Sequence, residues 1–209
     1  MTRRSLKRAE NDRRVMSRDV RVAAISGSRR EASYTAIAIE TALLASEELG
    51  ASTEHIDLRS LELPVFDPDE QATRDVGHVQ TSLQRADAIL LGTPVYHGSY
   101  SGVLKNAIDH CGFEEFEDKT VGLLAVAGGR FPISAMDHLR TVCRALNAWV
   151  LPTDVAIPQA NAVIEHAEIV DETIAQRVER LGRLAVRYAA IEPHQHTFES
   201  EHNVGAGVH

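Results

Sequence analysis

Lysine, cysteine, aromatic side chains and long apolar runs are all scarce in this sequence, and each scarcity removes a class of function. Lysine occurs only at Lys7, Lys105 and Lys119, and the formal net charge is −8. A general nucleic-acid binder needs the opposite sign on its surface. Aromatic residues make up 5% of the chain, and Tyr100, Phe113, Phe116 and Trp149 are too scattered to build a stacking platform for single strands. Cys111 and Cys143 are too few for a disulfide framework and belong to no C-x-x-C pair, so they read as reduced, packed side chains. No apolar run has the length of a bilayer span. The N-terminus has no signal-peptide stretch, so the expected location is the cytoplasm, without membrane contact.

Signature motifs are missing too. There is no G-x-x-x-x-G-K-[ST] loop and no G-x-G-x-x-G fingerprint, which excludes a P-loop and a dinucleotide-binding turn. Ten histidines occur, but there is no H-E-x-x-H and no Cys/His cluster, while His194, His196, His202 and His209 fall in a polar tail. No metal site is expected.

The 209 residues suit one domain. Residues 1–15, "MTRRSLKRAENDRRV", carry a local net charge of +4 and leave −12 on the remainder. Residues 1–19 read as a basic, disordered extension, 20–190 as the domain and 191–209 as a polar tail. Within the domain, near-continuous apolar runs at 20–26, 86–94 and 119–129, with a further strand at 52–58 and a strand-like piece in "AWVLPTDVAIP", alternate with helical segments. Strands of this kind are buried on both faces. The pattern predicts an α/β fold, a doubly wound parallel sheet of five strands with helices on both faces.

In such a sheet, ligands bind beyond the carboxyl ends of the strands, near the point where strand order reverses. The chemically rich segments all follow strands. The first, "SGSRREASYT", crowds hydroxyls and arginines between a strand and a helix that Ser33 caps. Free amides at a helix start, hydroxyls from Ser26, Ser28, Ser33 and Thr35 and the Arg30 guanidinium suit a single phosphate. The second, "GTPVYHGSYSGVLKNAID", has Pro94 to fix the chain, glycines for close approach and the flat side chains of Tyr96 and His97. The third, "AVAGGRFP", offers Gly128 and Gly129 to a ligand, with Arg130 and Phe131 at the rim.

The segments "ISGSRREASYT", "TPVYHGSYSGVLKNAID" and "AVAGGRF", in that order and spacing, resemble the NADPH-dependent FMN reductase family of flavodoxin-like proteins over roughly residues 20–160. The resemblance implies a noncovalent FMN with its phosphate on Ser28, Arg30, Ser33 and Thr35. It implies that Pro94, Val95, Tyr96, His97, Gly98 and Ser99 line the isoalloxazine, and that Gly128, Gly129 and Arg130 contact its pyrimidine side or close the pocket. Many relatives have asparagine where this chain has Thr35 and His97. The implied activity is hydride transfer from NADPH or NADH to N5 of FMN and on to a small-molecule acceptor, in a homodimer or homotetramer. No side chain is expected to act as acid or nucleophile, since the flavin carries the chemistry. Two variants stay open: reduction of quinones, azo dyes or metal oxyanions by bound FMN, and a flavodoxin-type electron carrier without enzymatic activity. A carrier packs aromatic residues on both flavin faces, whereas these loops supply mainly glycine, serine and Tyr96.

Overall fold

The computed structural model describes residues 19–189. The basic extension up to residue 18, the tail from residue 190 and its histidines lie outside the described residues. The chain runs β1 (Arg21–Ser26), α1 (Tyr34–Glu47), β2 (Ser52–Asp57), α2 (Arg74–Arg85), β3 (Ala88–Pro94), α3 (Gly102–Asp109), α4 (Phe113–Phe116), β4 (Thr120–Val126) and α5 (Ile133–Ala145). It continues through β5 (Trp149–Val150), β6 (Val155–Ile157), α6 (Ala160–Val163), β7 (Ile164–Glu165), β8 (Glu168–Ile169) and α7 (Glu172–Arg187).

β1 pairs in parallel with both β2 and β3, and β3 with β4, so the sheet order is β2-β1-β3-β4-β5. This is the flavodoxin-like arrangement, with the order reversing between β1 and β3. The fifth strand is interrupted: β5 and β6 both lie parallel to β4, against Thr120–Val121 and Leu124–Val126. Pro152, which has no amide to give a ladder, sits in the gap between them.

All seven residues of β3 and all seven of β4 are buried, as their unbroken apolar runs require. Successive side chains go to opposite faces. Val22, Ala24, Leu90 and Leu124 join a core with α1 and α7, whereas Ala23, Ile25, Leu91 and Leu123 join one with α2, α3, α4 and α5. Each buried leucine or isoleucine contributes about 1.5–3 kcal/mol. Leu104, Ala107 and Ile108 of α3 belong to the second core, so that stripe serves packing within the chain.

α1 is rich in alanine because it is covered twice, by the sheet and by α7. Gly182 of α7 permits the closest approach: a Cβ there would lie 1.9 Å from the carbonyl oxygen of Ala42. α7 thereby presses on the helix whose first turn borders the serine-rich loop. Beyond α6 the short antiparallel hairpin β7–β8 turns through His166 and Ala167 at φ 48° and 65°. No helix among the described residues is long and apolar enough to cross a membrane.

Candidate functional site

The loops after β1, β3 and β4 emerge side by side from one edge of the sheet, since these strands are neighbours and parallel. Direct bonds hold the first two together. The Gly27 amide donates to the Gly92 carbonyl at 2.8 Å, and the Ser101 hydroxyl donates to the Gly27 carbonyl at 2.5 Å. There is no room for a side chain at Gly27, where a Cβ would meet Leu104 Cβ at 2.7 Å.

In the first loop, Ser33 is the N-cap of α1, its Oγ accepting from the Ala36 amide at 3.1 Å. Ser28 Oγ accepts from the Arg30 amide at 3.3 Å, and Ser26 Oγ is tied to His55 Nε2 at 3.0 Å. Ser28 and Ser33 therefore use a lone pair on the loop itself and keep the O–H for another acceptor. Among the described residues, the Thr35 hydroxyl and the amides of Ser28, Arg29, Glu31, Ala32, Ser33, Tyr34 and Thr35 have no hydrogen-bond partner. Ser28, Ser33 and Thr35 are buried, while Arg30 is exposed. A run of unpartnered donors at the positive end of a helix suits an anion.

The second loop is a tight turn. Tyr96 and Ser99 exchange backbone bonds of 3.0 and 3.1 Å around His97 and Gly98, both at positive φ (51° and 80°). Asparagine and glycine favour that conformation, and histidine tolerates it. The Val95 amide donates to the Val126 carbonyl and its side chain packs with Ala125, Ala135 and Met136, so neither group is spare. Of this turn's amides, those of His97, Gly98 and Tyr100 have no partner among the described residues.

In the third loop, Gly128, Gly129 and Arg130 are exposed, and a Cβ at either glycine would meet nothing within 4 Å. Neither has a positive φ. Nothing among the described residues demands these glycines. Phe131, at 83% exposure, stands beside them.

Several contributors escape the sequence reading. Ser134 Oγ donates to the Gly98 carbonyl at 2.6 Å, and Ser99 Oγ meets His138 Nδ1 at 2.9 Å, so the start of α5 fastens the second loop. Thr93 Oγ1 accepts from the Ser101 amide at 2.9 Å. On the other flank, Arg59 pairs with Asp57, its Nε lying 2.8 and 3.0 Å from the carboxylate oxygens, and its Nη1 donates to the carbonyls of Arg30 (3.3 Å) and Glu31 (2.5 Å). Burial alone would raise the Asp57 pKa, but the bonds from Arg59 outweigh it and hold the carboxyl below its usual value. A groove of about 640 Å³ opens between Arg59, the start of α1 and the tip of the β7–β8 hairpin, with Glu31, Glu40 and Glu165 on its walls. Ser33 is the one predicted site residue that lines it. Ala32, Ser33 and Tyr34 of the donor run also line the groove, where the three glutamates face Arg59.

A model of the NADPH-dependent FMN reductase family matches residues 20–162. The chain belongs to this family. The stretch that the family model matches contains all three loops and Arg59, and ends before the β7–β8 hairpin and α7. Among curated relatives, an FMN-dependent NADPH-azoreductase of Staphylococcus aureus is 35% identical over 120 residues. That match covers 50% of this chain and 64% of the relative's length. Among solved structures, an apo NADH:FMN oxidoreductase superposes with a TM-score of 0.71 at 22% identity, over 83% of this chain and 92% of that one. The flavoenzyme NAD(P)H:(acceptor) oxidoreductase of Paracoccus denitrificans superposes with a TM-score of 0.68 at 20% identity, over 81% and 97% of the two chains. At such identities the likeness speaks for the fold.

Neither cysteine is an activated thiol. Burial raises both the Cys111 and Cys143 pKa values to about 12, and both cysteines are free. Reactivity needs the thiolate, which is negligible at neutral pH for such groups.

Proposed function

We propose that this protein is an NAD(P)H-dependent flavin oxidoreductase that binds FMN noncovalently across the three loops. The observation that carries the reading is the cluster of unpartnered amides from Ser28 to Thr35, with the Thr35 hydroxyl, at the start of α1. It fits a phosphate, and the Arg30 side chain is free to close over it from the solvent side. The amides of His97, Gly98 and Tyr100 fit the heteroatom edge of a planar ring. The unforced glycines 128 and 129 let backbone approach its pyrimidine side, with Arg130 at the rim.

When bound, the flavin supplies the chemistry, accepting a hydride from NADPH or NADH and passing electrons to an acceptor. The chain's part is to grip the phosphate, to orient the ring and to donate hydrogen bonds that favour negative charge on it. The Gly27–Gly92 and Ser101–Gly27 bonds set the distance of the second loop from the first. Tyr96, 47% exposed, and Phe131 leave the rim open and apolar, which suits a flat nicotinamide and then a flat acceptor. Quinones and azo compounds are therefore the acceptors of choice for this reading, and the azoreductase relative points the same way. The same openness disfavours a flavodoxin-type carrier, which needs aromatic cover on both faces. We place the enzyme in the cytoplasm, as a homodimer or homotetramer, a state that light scattering on the purified protein would read.

The test is a visible absorption spectrum of the protein with stoichiometric FMN, before and after anaerobic NADPH and, separately, NADH. The expected result is a shifted flavin band that bleaches with one of the two and recovers on adding a quinone. An unperturbed FMN spectrum would overturn the flavin reading. Bleaching by dithionite but by neither nicotinamide would leave the carrier.

A further inference from the structure

Arg59 stands outside every predicted set of site residues, yet it makes an unusual pair of contacts. Its guanidinium is fixed by Asp57 at the end of β2 and reaches the backbone carbonyls of two consecutive loop residues, Arg30 and Glu31. In a trans peptide the carbonyl and the following amide point in opposite directions, and no cis peptide occurs among the described residues. Drawing the carbonyls of Arg30 and Glu31 toward Arg59 therefore turns the amides of Glu31 and Ala32 to the other side of the loop. Both amides lack a hydrogen-bond partner among the described residues. The guanidinium hydrogen bonds of Arg59 go to Asp57 and to these two carbonyls, so it contributes orientation and not a direct contact with the anion.

We propose that Arg59, anchored by Asp57, is a positioning residue that presets the phosphate cradle by holding the Arg30 and Glu31 carbonyls away from it. The assignment rests on the flavin reading above. Its physical content is pre-organisation: a loop already turned toward the phosphate loses less freedom on binding. A planar fork does this better than an ammonium, because one guanidinium satisfies the Asp57 carboxylate and two carbonyls at once. Nothing in the spacing of the sequence signals the role, since Arg59 lies 28 and 29 residues from the carbonyls it holds.

The test compares two ligands that differ only in the phosphate. Wild type, Arg59→Met and Arg59→Lys are titrated with FMN and with riboflavin, following quenching of flavin fluorescence, with circular dichroism as a check of the fold. Arg59→Met is expected to weaken FMN binding by about tenfold or more and to leave riboflavin binding within about twofold. Arg59→Lys is expected to fall between wild type and Arg59→Met for FMN and to match wild type for riboflavin. Should Arg59→Met not fold, the lysine variant decides alone. Unchanged FMN binding in Arg59→Met, equal losses for both flavins, or full FMN affinity in Arg59→Lys would each overturn the role of the fork. A wild type that binds neither flavin would overturn the reading beneath it, a distinct result.

Discussion

The first and third loops leave the same edge of the sheet and are built on opposite plans. The first is held from several sides: Ser101 takes the Gly27 carbonyl, Ser33 caps α1, His55 holds Ser26 and Arg59 holds two carbonyls. The carbonyls of Gly27, Arg30, Glu31 and Ser33 are bonded, while most of its amides are spare. The third is attached where Ala127 donates to Ile157 and Gln159 donates to the Gly129 carbonyl, and a Cβ at either of its glycines would meet nothing within 4 Å. The contrast follows what each loop would meet. A phosphate is the same in every turnover and rewards a rigid cradle, whereas a rim that admits nicotinamide and acceptor in turn must yield.

Glycine replacements break the comparison most sharply. Gly27→Ala places a methyl 2.7 Å from Leu104 Cβ and 3.2 Å from the Gly92 carbonyl oxygen. It should cost about 2 kcal/mol, or roughly 4–8 °C in melting temperature. Gly128→Val, in open space, should leave melting unchanged while weakening FMN by about tenfold, because the side chain fills the approach of the ring. A Gly128→Val variant that melts early and binds normally would reverse the roles assigned to the two loops. Calorimetry and a fluorescence titration read both.

Ser101→Ala is next in size. It removes the bond to the Gly27 carbonyl and the cap on the Leu104 amide, at 2.5 and 3.2 Å, and should cost about 1–2 kcal/mol in urea denaturation. The smallest effect concerns pH. Burial lowers the His55 pKa below 6.5, only partly offset by Glu40 and Asp57. The folded state thus favours neutral His55. Its contribution is complete above pH 6.5 and is lost as pH falls through the lowered value. His55→Gln, which gains no charge, should show a flatter melting temperature between about pH 7 and 5. Parallel profiles for the two proteins would remove His55 from the account.

Much of this arrangement was legible in the residues. The unbroken apolar runs identified β1, β3 and β4, and Ser33 announced the start of α1. What escaped had no local signal. The fifth strand is split around Pro152, although "AWVLPTDVAIP" reads as one piece. The β7–β8 hairpin turns through His166 and Ala167, which are not the glycine or asparagine that would mark such a turn. Arg59, Ser134 and His138 act on backbone or side chains far away in the chain, and their partners appear only once the sheet has brought the strand ends together. The hydroxyls of the first loop were read as donors to a ligand, and those of Ser26, Ser28 and Ser33 also build the loop itself.

The contact between Gly182 and Ala42 also has a meaning in time. α1 leaves the ribosome early and α7 late, and at about 5–20 residues per second roughly 7–28 s separate them. Until α7 arrives, one side of α1 is uncovered, and the cradle at its first turn rests on a helix without its second support. A nascent chain would therefore set the first turn of α1 in its final place only near the end of synthesis, so that any ligand held there would report a finished domain.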